Sequence, residues 1–219
     1  MRNFPNVFRI TTFLMGLVLA LFALATIVGG KLSPKTTQLP QDLAMSDLEV
    51  SGSLAEWAAA ATPLRGDLLA DVAMARAGPA LGRKDPPSPE IVAARDRAIV
   101  LARQSLMRAP HSSRTWLLIA RLQNQAPQQL AEALKMSYLT APADVSLIPA
   151  RLALLAKTAG ITNDDLQSLA RGDIRLILSR RPDLKPAITN AYQSASVESK
   201  AYIRETARSL DPGFGATLQ

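Results

Sequence analysis

The chain has 219 residues, 48% of them hydrophobic and 20% charged, with no cysteine and a single histidine. That suits one modest domain with its own core plus a short appendage. Without cysteine there is no disulfide framework, zinc–thiolate site, cysteine nucleophile or covalent haem attachment, and a lone His111 removes most metal and Ser-His-Asp chemistry. The formal charge of +7 is unevenly spread: residues 1–35 hold four basic and no acidic side chains, leaving 21 basic against 18 acidic over residues 36–219. A domain so nearly balanced, and poor in aromatic residues, does not read as a nucleic-acid module. Within it, residues 91–157 carry nine basic side chains against Asp96, Glu132 and Asp144, which we read as a solvated face.

Residues 1–9 form a short tail. Residues 10–30, ITTFLMGLVLALFALATIVGG, contain no charge, and 21 residues of helix cross a hydrocarbon layer of roughly 30 Å. Phe4 and Phe8 suit an interfacial anchor. The rival reading is a signal peptide cut after Ala25, at Ala23-Leu24-Ala25, and the length of the run favours an uncleaved span. Two Lys/Arg flank each side, so the charge rule barely orients it. A short tail before one signal-like span leaves the tail in the cytoplasm, which for a bacterium places the bulk of the chain in the periplasm beyond a single-pass inner-membrane anchor. The acid-free first 41 residues also suit a mitochondrial targeting segment; export is the reading taken here.

Residues 31–53, with Pro34, Pro40 and Gly52, read as a linker. Everything from 54 to 212 reads as helices with punctuation. A short alanine-rich helix over 54–61 holds Trp57. Thr62-Pro63 then starts a helix that Gly78-Pro79 ends, burying Leu64, Leu68, Val72 and Ala75. After the loop 78–88, Ser88-Pro89-Glu90 begins a helix to about 108 with a stripe of Ile91, Ala94, Ala98, Leu101, Ala102 and Leu106. Ser112 or Ser113 caps the next, through Trp116, Ile119, Ala120 and Leu122. Further helices are expected over 127–139, 147–159 (closed by Gly160), 163–181 (capped by Thr162), 185–195 and 197–209, and residues 213–219 form a tail.

Ser105-Leu106-Met107-Arg108-Ala109-Pro110 and Ser137-Tyr138-Leu139-Thr140-Ala141-Pro142 align without gaps 32 residues apart, each ending a helix. Helix pairs at intervals of this size suggest an α-solenoid. Ala98, Ala102, Ser105 and Pro110 stand at the small-residue offsets and terminal proline of a second helix that resembles the tetratricopeptide repeat. Trp116 falls at the aromatic position of the next first helix, with Ile119 and Ala120 as its large-small pair. Gln123 departs from the usual aromatic, and Leu130, Leu134, Ser137 and Pro142 fit after a two-residue deletion. The resemblance is specific over residues 98–142 and loose over 143–212. It implies an all-α stack of helical hairpins, a tetratricopeptide-like solenoid, that holds protein partners.

No catalytic constellation, phosphate loop or cofactor motif emerges, so no enzyme activity, cofactor or metal is expected. Asp164-Asp165 reads as a helix-start pair, and Ser196 with Lys200, four apart, lacks the surroundings of a Ser-Lys hydrolase. Arg-Gly-Asp occurs at 65–67 and 171–173, inside helical patterns, where Gly66 and Gly172 are expected to be close helix contacts. Candidate partner-binding residues are Trp116, Tyr138, Arg114 and Arg121; Gly16 and Ala20 form a small-xxx-small face in the span. The expected function is a membrane-anchored scaffold that presents a periplasmic domain to protein partners in envelope assembly, such as polysaccharide export, secretion or complex biogenesis. The alternative is an accessory subunit of a larger membrane complex, bound through its transmembrane helix.

Overall fold

A computed structural model describes residues 4–32, 56, 59, 65–81, 88–123, 126–157 and 164–218. Among these the chain is helical, without a strand. The long apolar run gives helix α1, Phe4–Leu32, which begins inside the expected tail and ends inside the expected linker. Its segment Phe8–Val28 has a mean hydropathy of 2.4 and none of it is buried by the rest of the chain. This is one N-terminal helix long and apolar enough to cross a membrane. Apart from Glu56 and Ala59, the expected short helix with Trp57 lies outside the described residues, as do the caps at Thr62-Pro63 and Thr162, Leu64, Gly160 and most of the linker.

The remaining helices pack together around one core. They are α2 (Gly66–Leu81), α3 (Pro89–Arg108), α4 (Ser113–Leu122), α5 (Pro127–Thr140), α6 (Ile148–Lys157), α7 (Asp164–Arg180), α8 (Lys185–Gln193), α9 (Val197–Leu210) and α10 (Pro212–Thr217). Single 3-10 turns, Val145–Leu147 and Pro182–Leu184, lead into α6 and α8. Among the described residues, substantial packing joins helices no more than three apart in the chain, above all α2 with α3, α4 with α5, α6 with α8 and α9 with α10. Local punctuation accounts for most boundaries. Ser88 caps α3, its Oγ accepting from the Ile91 N–H at 3.4 Å with Pro89 in the first turn. Ser196 caps α9 the same way, accepting from the Ser199 N–H at 3.2 Å.

Two boundaries differ from the sequence reading. Gly78-Pro79 does not end α2, which runs on to Leu81. Pro79 is exposed in the last turn, where its missing N–H forfeits one hydrogen bond, and its helical neighbours Ala75 and Ala80 are small. Nor is the C-terminus a tail. Asp211 caps α10, its Oδ1 accepting from the Phe214 N–H at 3.0 Å, and α10 packs back on α9. Gly215 makes this approach possible: a Cβ there would lie 2.5 Å from the Cα of Arg208.

The aligned serines do the same work in both units. Ser105, near the end of α3, is fully buried and donates at 2.8 Å to the carbonyl of Gly66, the first residue of α2. Ser137, near the end of α5, is fully buried against Ser113, the first residue of α4, whose Oγ donates to the Ser137 carbonyl at 2.7 Å. Each serine thus ties the end of one helix to the start of its predecessor, as an antiparallel hairpin requires. Gly66 is a close contact as expected: an added Cβ would meet Ala109 Cβ and the Ser105 carbonyl at 3.0 Å. Gly172 is not, since nothing lies within 4 Å of a Cβ built there.

Candidate functional site

An open concavity among the described residues lies over α4 between α3 and α5. Leu106, Met107, Trp116, Ile119, Ala133 and Met136 give it an apolar floor and walls, and it has a volume of about 480 Å³ open to solvent. Helical spacing explains the convergence: Trp116, Ile119 and Gln123 share one face of α4, and Gln129, Ala133 and Met136 share one face of α5. The Trp116 indole N–H donates to the Pro110 carbonyl at 2.8 Å, which orients the ring at the end of the proline turn. Gln123, buried at the position where the tetratricopeptide pattern has an aromatic, donates from its amide to Gln129 Oε1 at 2.9 Å and so ties the end of α4 to the start of α5. Met107 is 78% exposed at the edge of this groove. Arg103 and Glu132 add one charge of each sign to its lining.

Of the expected partner-binding residues, only Trp116 lines this groove. Tyr138 is a correction: its side chain is 2% exposed and points into the core, because α5 carries it on the face opposite Met136. Arg114 and Arg121 are half-buried on α4, one seven-residue repeat apart, and neither lines the groove. Burial lowers the Arg121 pKa. In α1, Gly16 and Ala20 are exposed, and nothing comes within 4 Å of a Cβ built at Gly16.

The other sites weighed in the sequence resolve into local structure. His111 stands exposed in the turn after Pro110. Asp165 forms an ion pair with Lys135 of α5. Ser196 donates to Ser199 Oγ at 3.1 Å, while Lys200 lies over the Tyr192 ring, 5.7 Å from its centre. In the first Arg-Gly-Asp, Arg65 pairs with Asp67, at 2.6 Å from Nη2 to Oδ2. In the second, Asp173 is 4% exposed and faces the core, so this copy is not a surface tripeptide.

A buried polar cluster went unnoticed in the sequence. Arg151 of α6 is fully buried and donates to Ser137 Oγ (3.1 Å), Ser113 Oγ (2.7 Å), the Ser137 carbonyl (2.5 Å) and the Ala141 carbonyl (3.0 Å). Its guanidinium also covers the Tyr138 ring, 4.6 Å from the centre. Burial lowers the Arg151 pKa, and it raises that of Tyr138 well above the ordinary phenol value. Across from them, burial pushes the Asp173 carboxyl up to about 6, against the pull of Arg151 and Tyr138. The signal was present: Arg151 follows Ile148 by three and precedes Leu155 by four, which puts it on the buried stripe of an apolar helix. An arginine in that register needs acceptors, and serines at the starts and ends of neighbouring helices supply them.

The fold and groove define an all-helical chain with one N-terminal helix apolar enough to span a membrane. Compared with protein-family models, curated proteins and solved structures, the chain matches none.

Proposed function

We propose that this protein is a non-enzymatic, membrane-anchored adaptor. In this reading α1 holds it, single-pass, in a bacterial inner membrane. The helices beyond it form a tetratricopeptide-like stack in the periplasm, which binds a protein partner in envelope assembly. The observation that carries the reading is the separation of two unsatisfied apolar surfaces. None of the Phe8–Val28 segment is buried by the rest of the chain, so α1 needs another apolar medium. The α3–α4–α5 groove, far along the chain from it, leaves Met107 exposed and Trp116 only partly covered by the core it packs against. Methionine and tryptophan on an open apolar surface suit adaptable protein contact, since the thioether repacks readily and the indole supplies a rigid anchor.

The test is affinity capture from gently solubilised native membranes, with the full chain, a form lacking residues 1–35, and the full chain carrying Trp116→Ala. An adaptor retains its partner without the span and loses it with Trp116→Ala. The second reading, an accessory subunit bound through α1, draws on the open surroundings of Gly16, four residues before Ala20, where another helix can approach closely. It requires the opposite result: loss of the partner without the span and retention with Trp116→Ala.

A further inference from the structure

Asp173 is the only buried carboxyl group among the described residues, and it lies on α7 in the seam with α5 and α6. It shares that interior with a guanidinium, yet the two form no ion pair. Arg151 spends its hydrogen bonds on Ser113, Ser137 and the Ala141 carbonyl, all on the α4–α5 side. Three buried atoms remain without a hydrogen-bond partner there: Asp173 Oδ2, Tyr138 Oη and Arg151 Nη1. The pull of Arg151 and Tyr138 offsets only part of the desolvation of a carboxylate placed in this way, whereas a neutral carboxyl group costs far less to bury.

We propose that α7 is a proton-controlled clasp: protonation of Asp173 seats α7 against α5 and α6, and ionisation of Asp173 loosens that seat.

The other charged and titratable groups along α7 do not compete for this role. On α5, Tyr138 faces Asp173 and Lys135 pairs with Asp165 at the outer end of the seam. On α6 the facing group is Arg151. On α9, Tyr202 donates to the Gln167 carbonyl of α7 at 2.5 Å, with the Arg171 charge nearby. In the turn before α8, Asp183 pairs with Arg181, and Lys185 of α8 pairs with Asp211. Burial raises the Asp173 pKa from 3.8 to about 6, so the seated form binds a proton that a solvated Asp173 would have released. Seating is therefore favoured most below about pH 4 and loses that advantage progressively as the pH rises from 4 to 6. The seam holds Ser113 and Ser137 through Arg151, and those serines join α4 to α5, the helices that form two sides of the groove. The clasp thus adjoins the surface assigned to partner binding, though it stands without that assignment.

Hydrogen exchange of the full chain in lipid nanodiscs, corrected for the intrinsic pH dependence of exchange, tests this directly. Protection of the α7 amides is expected to be about tenfold greater at pH 5.0 than at pH 7.5. Asp173→Asn is expected to hold the high protection at both pH values, and Arg151→Met to move the midpoint upward. A carboxyl-carbon NMR titration of the unmodified protein gives a second reading that needs no variant, with a midpoint near 6 for Asp173. Equal α7 protection at the two pH values, an undiminished pH dependence in Asp173→Asn, or a carboxyl midpoint near 4 would each overturn the proposal.

Discussion

Arg151 is the residue on which the interior turns. A guanidinium can be fully buried here because serines and a carbonyl at the ends of α5 and the start of α4 accept from it. Arg151→Met removes those bonds and leaves Asp173 without a neighbouring positive charge. The expected loss is roughly 1–3 kcal/mol at neutral pH, measured by urea unfolding, because buried serine and carbonyl acceptors lose their donor and the Asp173 carboxylate loses the field of a nearby guanidinium. The double replacement Arg151→Met with Asp173→Leu should recover much of it, since a cluster exchanged as a whole leaves no orphaned charge. Asp173 also sets a pH slope. Its raised pKa means that the folded chain binds the proton more tightly than the unfolded chain between pH 4 and 6. Stability contributed by that proton is present below 4 and lost as pH rises to 6, by up to about 3 kcal/mol, and it is flat above 6. Asp173→Asn should abolish this slope. Asp211 acts oppositely: the Phe214 N–H and Lys185 hold its carboxyl below the usual range, so its contribution is lost only as the pH falls below 4. None of this was read from the sequence, because periodicity marks where a stripe lies and not which buried arginine will find acceptors on other helices.

At the scale of the helix, glycines separate local cost from packing need. Gly172 sits exposed inside α7 with open space where a Cβ would go, so it brings the entropic cost of glycine without a contact to show for it. Gly172→Ala should stabilise the protein by about 1 kcal/mol in thermal or urea unfolding. Gly215→Ala should do the reverse, by roughly 1–3 kcal/mol, since its Cβ would sit 2.5–2.6 Å from the backbone of Arg208. Sequence pattern located α3, α5 and α9 closely, because each begins with a serine cap, a proline in the first turn, or both. It misjudged the end of α2, where a proline in a last turn of small residues costs too little to stop the helix. It also missed α10, although Asp211-Pro212 repeats the cap-then-proline pattern of Ser88-Pro89. A proline just past a helix also reads as its terminator, and whether a short segment docks depends on a neighbour such as Arg208 on another helix. Of the candidate site, Trp116 lines the groove, while Tyr138 turned inward because it follows buried Leu134 by four and shares its face of α5.

Among the described residues, the apolar surface that the fold leaves open lies mainly along α1 and in the groove, with Val100, Leu139 and Val197 exposed singly elsewhere. The first is a helix long and apolar enough to cross a bilayer; under the proposed function, the groove holding Met107, Met136 and Trp116 receives another protein. The distribution of charge agrees with this division, since the basic excess outside residues 1–35 is slight and the groove is lined by one charge of each sign. The account therefore puts recognition in the helical domain and attachment in α1. Placing a photo-activatable cross-linking side chain at Met107, at Met136 and at Gly16 in the full chain, within intact membranes, tests that division most directly. The account predicts that positions 107 and 136 capture one and the same non-self protein and that Trp116→Ala abolishes both adducts. Capture of a protein from position 16 alone, with positions 107 and 136 silent, would contradict it.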